Sequence, residues 1–283
     1  MIPLLDTHQH LIIRSKANYS WTKEIPSLAT DDFSQEKYTE ITSNFGIAGS
    51  IFMESAVDDS DYQKETKYIK TLINDSSNKI IGLISSIRPE DDKGFEHWLD
   101  VSIQMGVVGY RRILHEMPDE ISQNEIFKKN IKKIGNVEKT FDMCFLARQL
   151  KIAIELAKDC SNTSMILDHC GVPDIANNAI DTWKEDIKSL SELPNVVCKL
   201  SGIMAYCATG TSSFETIEPY VNHVLESFGP KRILWGSDWP VVNLGKGLPE
   251  WIKVTRQILD KLSIDEANAI ANGTAQNIYK VKL

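Results

Sequence analysis

Short apolar, β-branched runs alternate along this chain with longer polar stretches in which apolar residues recur at helical spacing. That alternation marks repeated βα units around a parallel sheet. Eight runs read as strands: residues 4–11, 48–54, 80–87, 107–114, 140–145, 164–169, 195–200 and 232–237. Their starts lie 24 to 44 residues apart, close to the ~30 residues of one βα unit. Residues 34–44, 61–72, 94–105, 147–160, 182–193, 214–228 and 248–262 carry the helical pattern between them. Gly46 and Gly229 stand where helices end and can supply the left-handed residue that closes them.

Eight such units in 283 residues predict an α/β chain folded as a (β/α)8 TIM barrel. A doubly wound open sheet is the competing arrangement. It usually carries a G-x-G-x-x-G or P-loop turn after an early strand, and neither string occurs here. With no low-complexity tract, Pro/Gly/Ser-rich linker or close repeat, a single domain over residues 1–283 is expected. The connection 12–33 is long for a βα loop and holds Tyr19 and Trp21, so it reads as a cap over the barrel mouth. Residues 115–139 read as a second such connection.

Composition narrows the partners. With 31 Lys plus Arg against 39 Asp plus Glu, the net charge is −8, the wrong sign for nucleic acid or an anionic membrane. The longest mostly apolar stretch, near residues 80–87, falls far short of the ~20 residues that span a bilayer. Only five residues precede Asp6, too few for a secretory signal, so a cytoplasmic chain is expected. The five cysteines include no C-x-x-C pair and are expected to be reduced thiols in or near the core.

The strongest local chemical signal is DTHQH at residues 6–10. Strand alternation predicts that Asp6, His8 and His10 share one face, which in a barrel is the interior. Two imidazoles there can bind a metal, hold a carbonyl oxygen, or stay neutral as hydrogen-bond partners. Other strands end in similar company: Arg111 with Arg112, Asp168 with His169, Lys199 with Ser201, and Asp238. Ionisable groups on buried strands are costly unless paired, so convergence on one polar pocket is expected. Parity groups Asp238 with Gly236 and Leu234, His169 with Leu167, and Lys199 with Val197 and Ser201, while only one of Arg111 and Arg112 can point inward. Glu54 reads either as a pocket residue or as a solvated strand end. His97, His115 and His223 read as solvated or helix-face histidines, and Cys170 as a packing residue.

DTHQH, GYRRIL, FDMC, LDHCGVPD, CKLSG and GSDWPV, in this order, resemble the lactonase branch of the amidohydrolase superfamily. That branch holds L-fuconolactonase-like and L-rhamnonolactonase-like enzymes and, more distantly, 2-pyrone-4,6-dicarboxylate lactonase. The resemblance runs from Asp6 to the closing NGTAQNIY segment. It implies a (β/α)8 hydrolase of carbohydrate metabolism that opens a sugar lactone, with Asp238 as the base that activates water. His8, His10 and His169 would orient carbonyl or water, and Arg111 would bind substrate together with Trp21, Tyr19 and Lys199. FDMCF lacks a strand-five histidine and strand four carries Arg111 with Arg112, which argues against a two-metal centre. Metal-independent catalysis is the expectation. One divalent ion such as Zn²⁺ on His8, His10, Asp238 and His169 is the alternative, in a hydrolase or decarboxylase of a cyclic or aromatic acid. A barrel that binds a sugar acid without turnover is the non-enzymatic alternative. A homo-oligomer would be usual for such an enzyme, although no stretch of sequence marks an interface.

Overall fold

The structure, a computed structural model, describes residues 1–283. Eight parallel strands follow chain order around one sheet: β1 (Leu4–Gln9), β2 (Ile47–Met53), β3 (Ile80–Ser86), β4 (Gly109–Ile113), β5 (Thr140–Cys144), β6 (Ser164–Leu167), β7 (Val196–Ser201) and β8 (Ile233–Gly236). The sheet closes where Asp238 N donates to His8 O and His10 N to Trp239 O, both at 2.8 Å. The expected barrel is therefore formed, with each strand within a few residues of its predicted place.

Helices α1 (Gln35–Thr42), α2 (Tyr62–Ile73) and α3 (Asp92–Gln104) cover the first strands. After β4 come a single turn, α4 (Glu120–Gln123), and α5 (Glu125–Asn136). The connection 115–139 is thus mainly the helix of its βα unit rather than a cap. Phe127, Ile131 and Ile134 bury one stripe of α5, and Asn124 caps its start by accepting from Ile126 N. The circuit continues through α6 (Leu150–Asp159), α7 (Asp181–Ser191), α8 (Phe214–Phe228) and α9 (Leu248–Asp260). Two further helices, α10 (Ile264–Asn268) and α11 (Thr274–Tyr279), lie beyond the predicted set.

Alternation along the strands separates two cores. One set of side chains packs outward against the helices, while Leu5, Ile51, Ile84, Ile166, Val197 and Leu234 meet inside the barrel, joined by Ala275 and Tyr279 of α11. The last helix therefore plugs the barrel floor. Buried tryptophans fasten strand ends to helices: Trp98 Nε1 donates to Ser86 O (3.0 Å), Trp183 Nε1 to Cys170 O (2.8 Å) and Trp251 Nε1 to Gly236 O (2.9 Å). Each such bond contributes ~1 kcal/mol and fixes the rim on which site residues stand. No helix is long and apolar enough to cross a membrane.

The long connection after β1 returns on itself through an Ile12–Phe33 bridge. It docks beside the carboxyl end of β2, where Trp21 Nε1 donates to Ser55 O (3.0 Å) and Asn18 Nδ2 to Asp61 Oδ2 (2.8 Å). Tyr19 is drawn into the core, and its hydroxyl accepts from Ile13 N (3.1 Å) and donates to Leu11 O (3.4 Å).

Candidate active site

The DTHQH segment does not alternate evenly. Between Asp6, opposite Ser50, and Gln9, opposite Phe52, β1 advances three residues while β2 advances two. This bulge reverses the faces. Asp6, expected on the inner face, turns to the helix side, where its carboxylate accepts from Tyr38 Oη (2.6 Å), Ser237 N (2.7 Å) and His8 N (3.0 Å). It braces β1 against β8, and burial pushes its carboxyl up.

His8 and His10 do reach the barrel mouth. His10 Nδ1 lies 3.1 Å from Met53 O. A carbonyl only accepts, so Nδ1 carries a proton, and in the neutral ring Nε2 presents a lone pair toward Asp238 Oδ1 at 3.3 Å. His8 Nε2 faces Arg111 Nη1 at 3.2 Å, and a guanidinium only donates. Neutral His8 therefore accepts at Nε2 and turns its Nδ1 proton toward Asp168 Oδ1, 3.4 Å away. Burial holds the His8 pKa well below the imidazole range despite the Asp168 charge.

The sixth strand ends at Leu167, earlier than its apolar run suggests. Its parity puts Leu167 outward with the helix-facing core, so His169 does not share the face of Leu167 as alternation predicts. Beyond Leu167 the backbone turns through a left-handed coil, with φ of 53° at His169, 55° at Cys170 and 47° at Val172. Non-glycine residues rarely adopt such angles, at ~1–2 kcal/mol each, and here the turn brings Asp168 and His169 inward together. His169 Nδ1 meets Ser201 Oγ at 2.9 Å, and its ring lies 4.4 Å from that of His8. Burial lowers the His169 pKa. Cys170 packs in the outer core, as expected.

Asp238 stands just beyond β8, also left-handed with φ of 59°. Gly202 and Gly236 make room for the centre. A Cβ on Gly202 would meet Asp238 Cβ at 2.5 Å, and one on Gly236 would meet His8 Cβ at 2.7 Å. Asp238 Oδ2 accepts no hydrogen bond from the protein and lies 3.8 Å from His169 Nδ1.

Of the two arginines, Arg111 faces inward. Its Nε donates to Glu54 Oε1 (2.6 Å) and its Nη2 to Glu54 O (2.7 Å), while Arg112 turns out to Glu90 (2.6 Å). Burial alone would raise the Glu54 pKa, but Arg111 outweighs it and holds the carboxyl low. Lys199 completes the floor. It pairs with Asp142 and with Asp168 Oδ1 (3.1 Å), and its Nζ lies 3.4 Å from His8 Nδ1. Lys199 and His8 likewise overcome burial to hold Asp168 well below the usual range, whereas burial pushes Asp142 up to about 7.

Asp142 and Glu54 were the members least visible in sequence. Asp142 sits in FDMC, where its inward face follows only once β5 is paired to β4 and β6. His97 is solvated and His223 bonds Lys184 O (2.9 Å), as expected. His115 instead sits part-buried with Nδ1 3.1 Å from the buried Cys144 thiol. Beside His169 opens a cleft of about 340 Å³ lined by Leu146, Arg148, Val172, Pro173, Asp174 and Tyr206. The Tyr206 ring packs edge-on to His169 at 6.2 Å.

Lone pairs of His8, His10 and Asp238 converge within 4.8 Å of one another. With Asp238 Oδ2 also unpartnered, this nitrogen and oxygen set fits one divalent ion. A second cluster of His8, Asp168 and His169 fits less well, because the Lys199 ammonium already occupies Asp168. The same convergence suits the chemistry of a water molecule, which can donate to Asp238 and to a neutral His10 Nε2.

Sequence and structure comparisons agree with this architecture. An L-fucono-1,5-lactonase of Burkholderia multivorans is 24% identical over 292 residues, covering 97% of this chain and 95% of that protein. An L-rhamnono-gamma-lactonase of Scheffersomyces stipitis is 26% identical over 182 residues, 56% of this chain and 54% of that one. A crystal structure of a Burkholderia multivorans amidohydrolase with bound zinc superposes with a TM-score of 0.87 at 23% identity, covering 99% of this chain and 100% of that chain. The amidohydrolase family profile matches residues 5–281, and the chain is a member of that family, a hydrolase of the lactonase branch that acts on lactone ester bonds.

Proposed function

We propose that the protein opens a five- or six-membered aldonolactone to its hydroxy acid, with water activated by Asp238. The observation that carries this reading is the 3.3 Å approach of His10 Nε2 to Asp238 Oδ1, which with His10 neutral are two acceptors that a single water can satisfy while exposing its own lone pair. Water attacks the lactone carbonyl as Asp238 takes its proton. The intermediate collapses by breaking the bond to the ring oxygen, and the proton on Asp238 passes to that oxygen as it leaves.

Arg111 and Lys199 place two buried positive charges beside His8, which favours negative charge developing on the carbonyl oxygen. His169 orients the carbonyl from the cleft side, and Trp21 lies at the rim. Tyr19 acts by fixing the loop that carries Trp21, because its hydroxyl is spent on backbone. A divalent ion on His8, His10 and Asp238 would polarise the water when bound. We take hydrolysis to proceed without it, because Arg111 and Lys199 already supply cationic charge and a lactone is an activated ester.

The sugar substrate is supported by the two lactonases above. The test is acid release, followed with a pH indicator, from a panel of L- and D-aldono-1,4- and 1,5-lactones. Rapid, stereoselective hydrolysis is expected, and silence across the panel would overturn the reading. The convergent acceptor set also supports a second reading, a metal-dependent hydrolase of a cyclic acid. That reading requires activity to vanish on chelation.

A further inference from the structure

The C-terminal helix reaches the catalytic cluster from below. Tyr279, at the end of α11, stands among the apolar residues of the barrel floor, yet its hydroxyl donates to Asp142 Oδ1 at 3.3 Å. The same oxygen accepts from Lys199 Nζ. Lys199 in turn lies 3.1 Å from Asp168 Oδ1 and 3.4 Å from His8 Nδ1. Asp142, Asp168, Lys199 and His8 are fully buried, so no solvent competes for these contacts.

A long ammonium side chain has many rotamers, and this one is held between two carboxylates on adjacent strands, β5 and the end of β6. Without Asp142, Lys199 would lean toward Asp168 alone and shift the partner that fixes the His8 tautomer. The Tyr279 hydroxyl holds the carboxylate from the far side. Asp142 Oδ2 accepts no hydrogen bond, so its orientation rests on what meets Oδ1.

We propose that Asp142 and Tyr279 are positioning residues for His8, acting through Lys199, so that docking of α11 into the barrel floor sets the catalytic imidazole. The proposal rests on His8 and Asp238 forming the hydrolytic centre. Tyr279→Phe in the full chain tests it, because the ring stays in the floor and only the hydroxyl is lost. Two readouts are taken: the imidazole ¹⁵N resonances of His8, assigned by their loss in His8→Gln, and kcat and KM on the lactone that the wild type turns over fastest.

The His8 resonances are expected to move, with kcat falling about three- to tenfold while KM stays within about twofold. Asp142→Asn is expected to do the same more strongly, and if it does not fold, Tyr279→Phe decides alone. His8 resonances that coincide with those of the wild type overturn the proposal, even if the unfolding midpoint drops, since packing alone predicts that drop. Resonances that move with kcat unchanged overturn it too. A wild type that hydrolyses no lactone refutes the lactonase reading instead, and the His8 resonances then settle the positioning role.

Discussion

His10 Nε2 and Asp238 Oδ1 face each other at 3.3 Å, two acceptors when the ring is neutral, because the other His10 nitrogen is committed to Met53 O. Asp238→Asn turns this contact into a hydrogen bond while removing the base. Asn also tolerates the left-handed φ of 59° at this position, where a β-branched residue would not. The variant is therefore expected to unfold no earlier than wild type while kcat falls by about 10²–10⁴. Differential scanning calorimetry beside a lactone assay checks both halves. A folded variant turning over at near-normal rate would remove Asp238 as the base.

Arg111 and Glu54 form a buried pair at 2.6 Å, and breaking one side leaves the other charged without a partner. Arg111→Met should destabilise by ~3–5 kcal/mol. Adding Glu54→Leu removes the orphaned charge and should restore most of that stability without restoring turnover. Urea unfolding of the single and double variants separates the two roles. Full activity in the stable double variant would relegate Arg111 to structure.

Much of this centre was legible from strand parity. Lys199 lies where its parity mate Val197 places it, because β7 is regular, while Asp238 reaches the same interior as Leu234 from a left-handed residue just beyond β8. Alternation fails for Asp6, which turns outward, and for the pairing of His169 with Leu167, for two separate reasons. A bulge shifts β1 by one residue, and a left-handed coil succeeds a strand shorter than its apolar run. Neither device leaves a mark in hydrophobic periodicity. Arg111 and Arg112 are both buried, so composition could not choose between them until Glu54 and Glu90 were seen on opposite sides. The fourth-unit helix was hidden by its lysines, although Phe127, Ile131 and Ile134 recur at helical spacing. The Asp142–Lys199 pair joins residues 57 apart, and only the closed sheet brings them together.

Acid sensitivity arises from the histidines. Burial holds the pKa of His8 well below 6.5 and lowers that of His169, so below 6.5 the unfolded chain binds protons that the folded one resists. The contribution is complete above 6.5 and is lost as pH falls toward the folded values. Asp142 runs oppositely: raised from 3.8 to about 7, its contribution is present below 3.8 and lost as pH rises through 7. Comparing wild type with His8→Gln isolates the imidazole, since Asp142 is common to both. The urea midpoint of wild type should drop more between about pH 7 and about pH 5 than that of the variant. Equal drops would show that His8 takes its proton without penalty.

Metal dependence can be decided because Arg111 and a metal ion compete for one lone pair. His8 Nε2 faces Arg111 Nη1 at 3.2 Å, and the nitrogen cannot accept that hydrogen and ligate an ion together. An ion at His8, His10 and Asp238 must therefore displace the guanidinium or bind chiefly through His10 and Asp238. Both routes predict weak binding of one Zn²⁺ per chain. Loss of His10 should weaken that binding by more than the roughly 10–100-fold that removing an outer hydrogen-bond partner costs. Equilibrium dialysis of wild type and His10→Gln measures it. On the hydrolytic reading, protein freed of metal by prolonged chelation keeps its kcat within about twofold, since the base and the positive charge belong to the chain itself. A loss of more than about 100-fold, reversed by one equivalent of Zn²⁺, would transfer the chemistry to the ion and make Asp238 a ligand first.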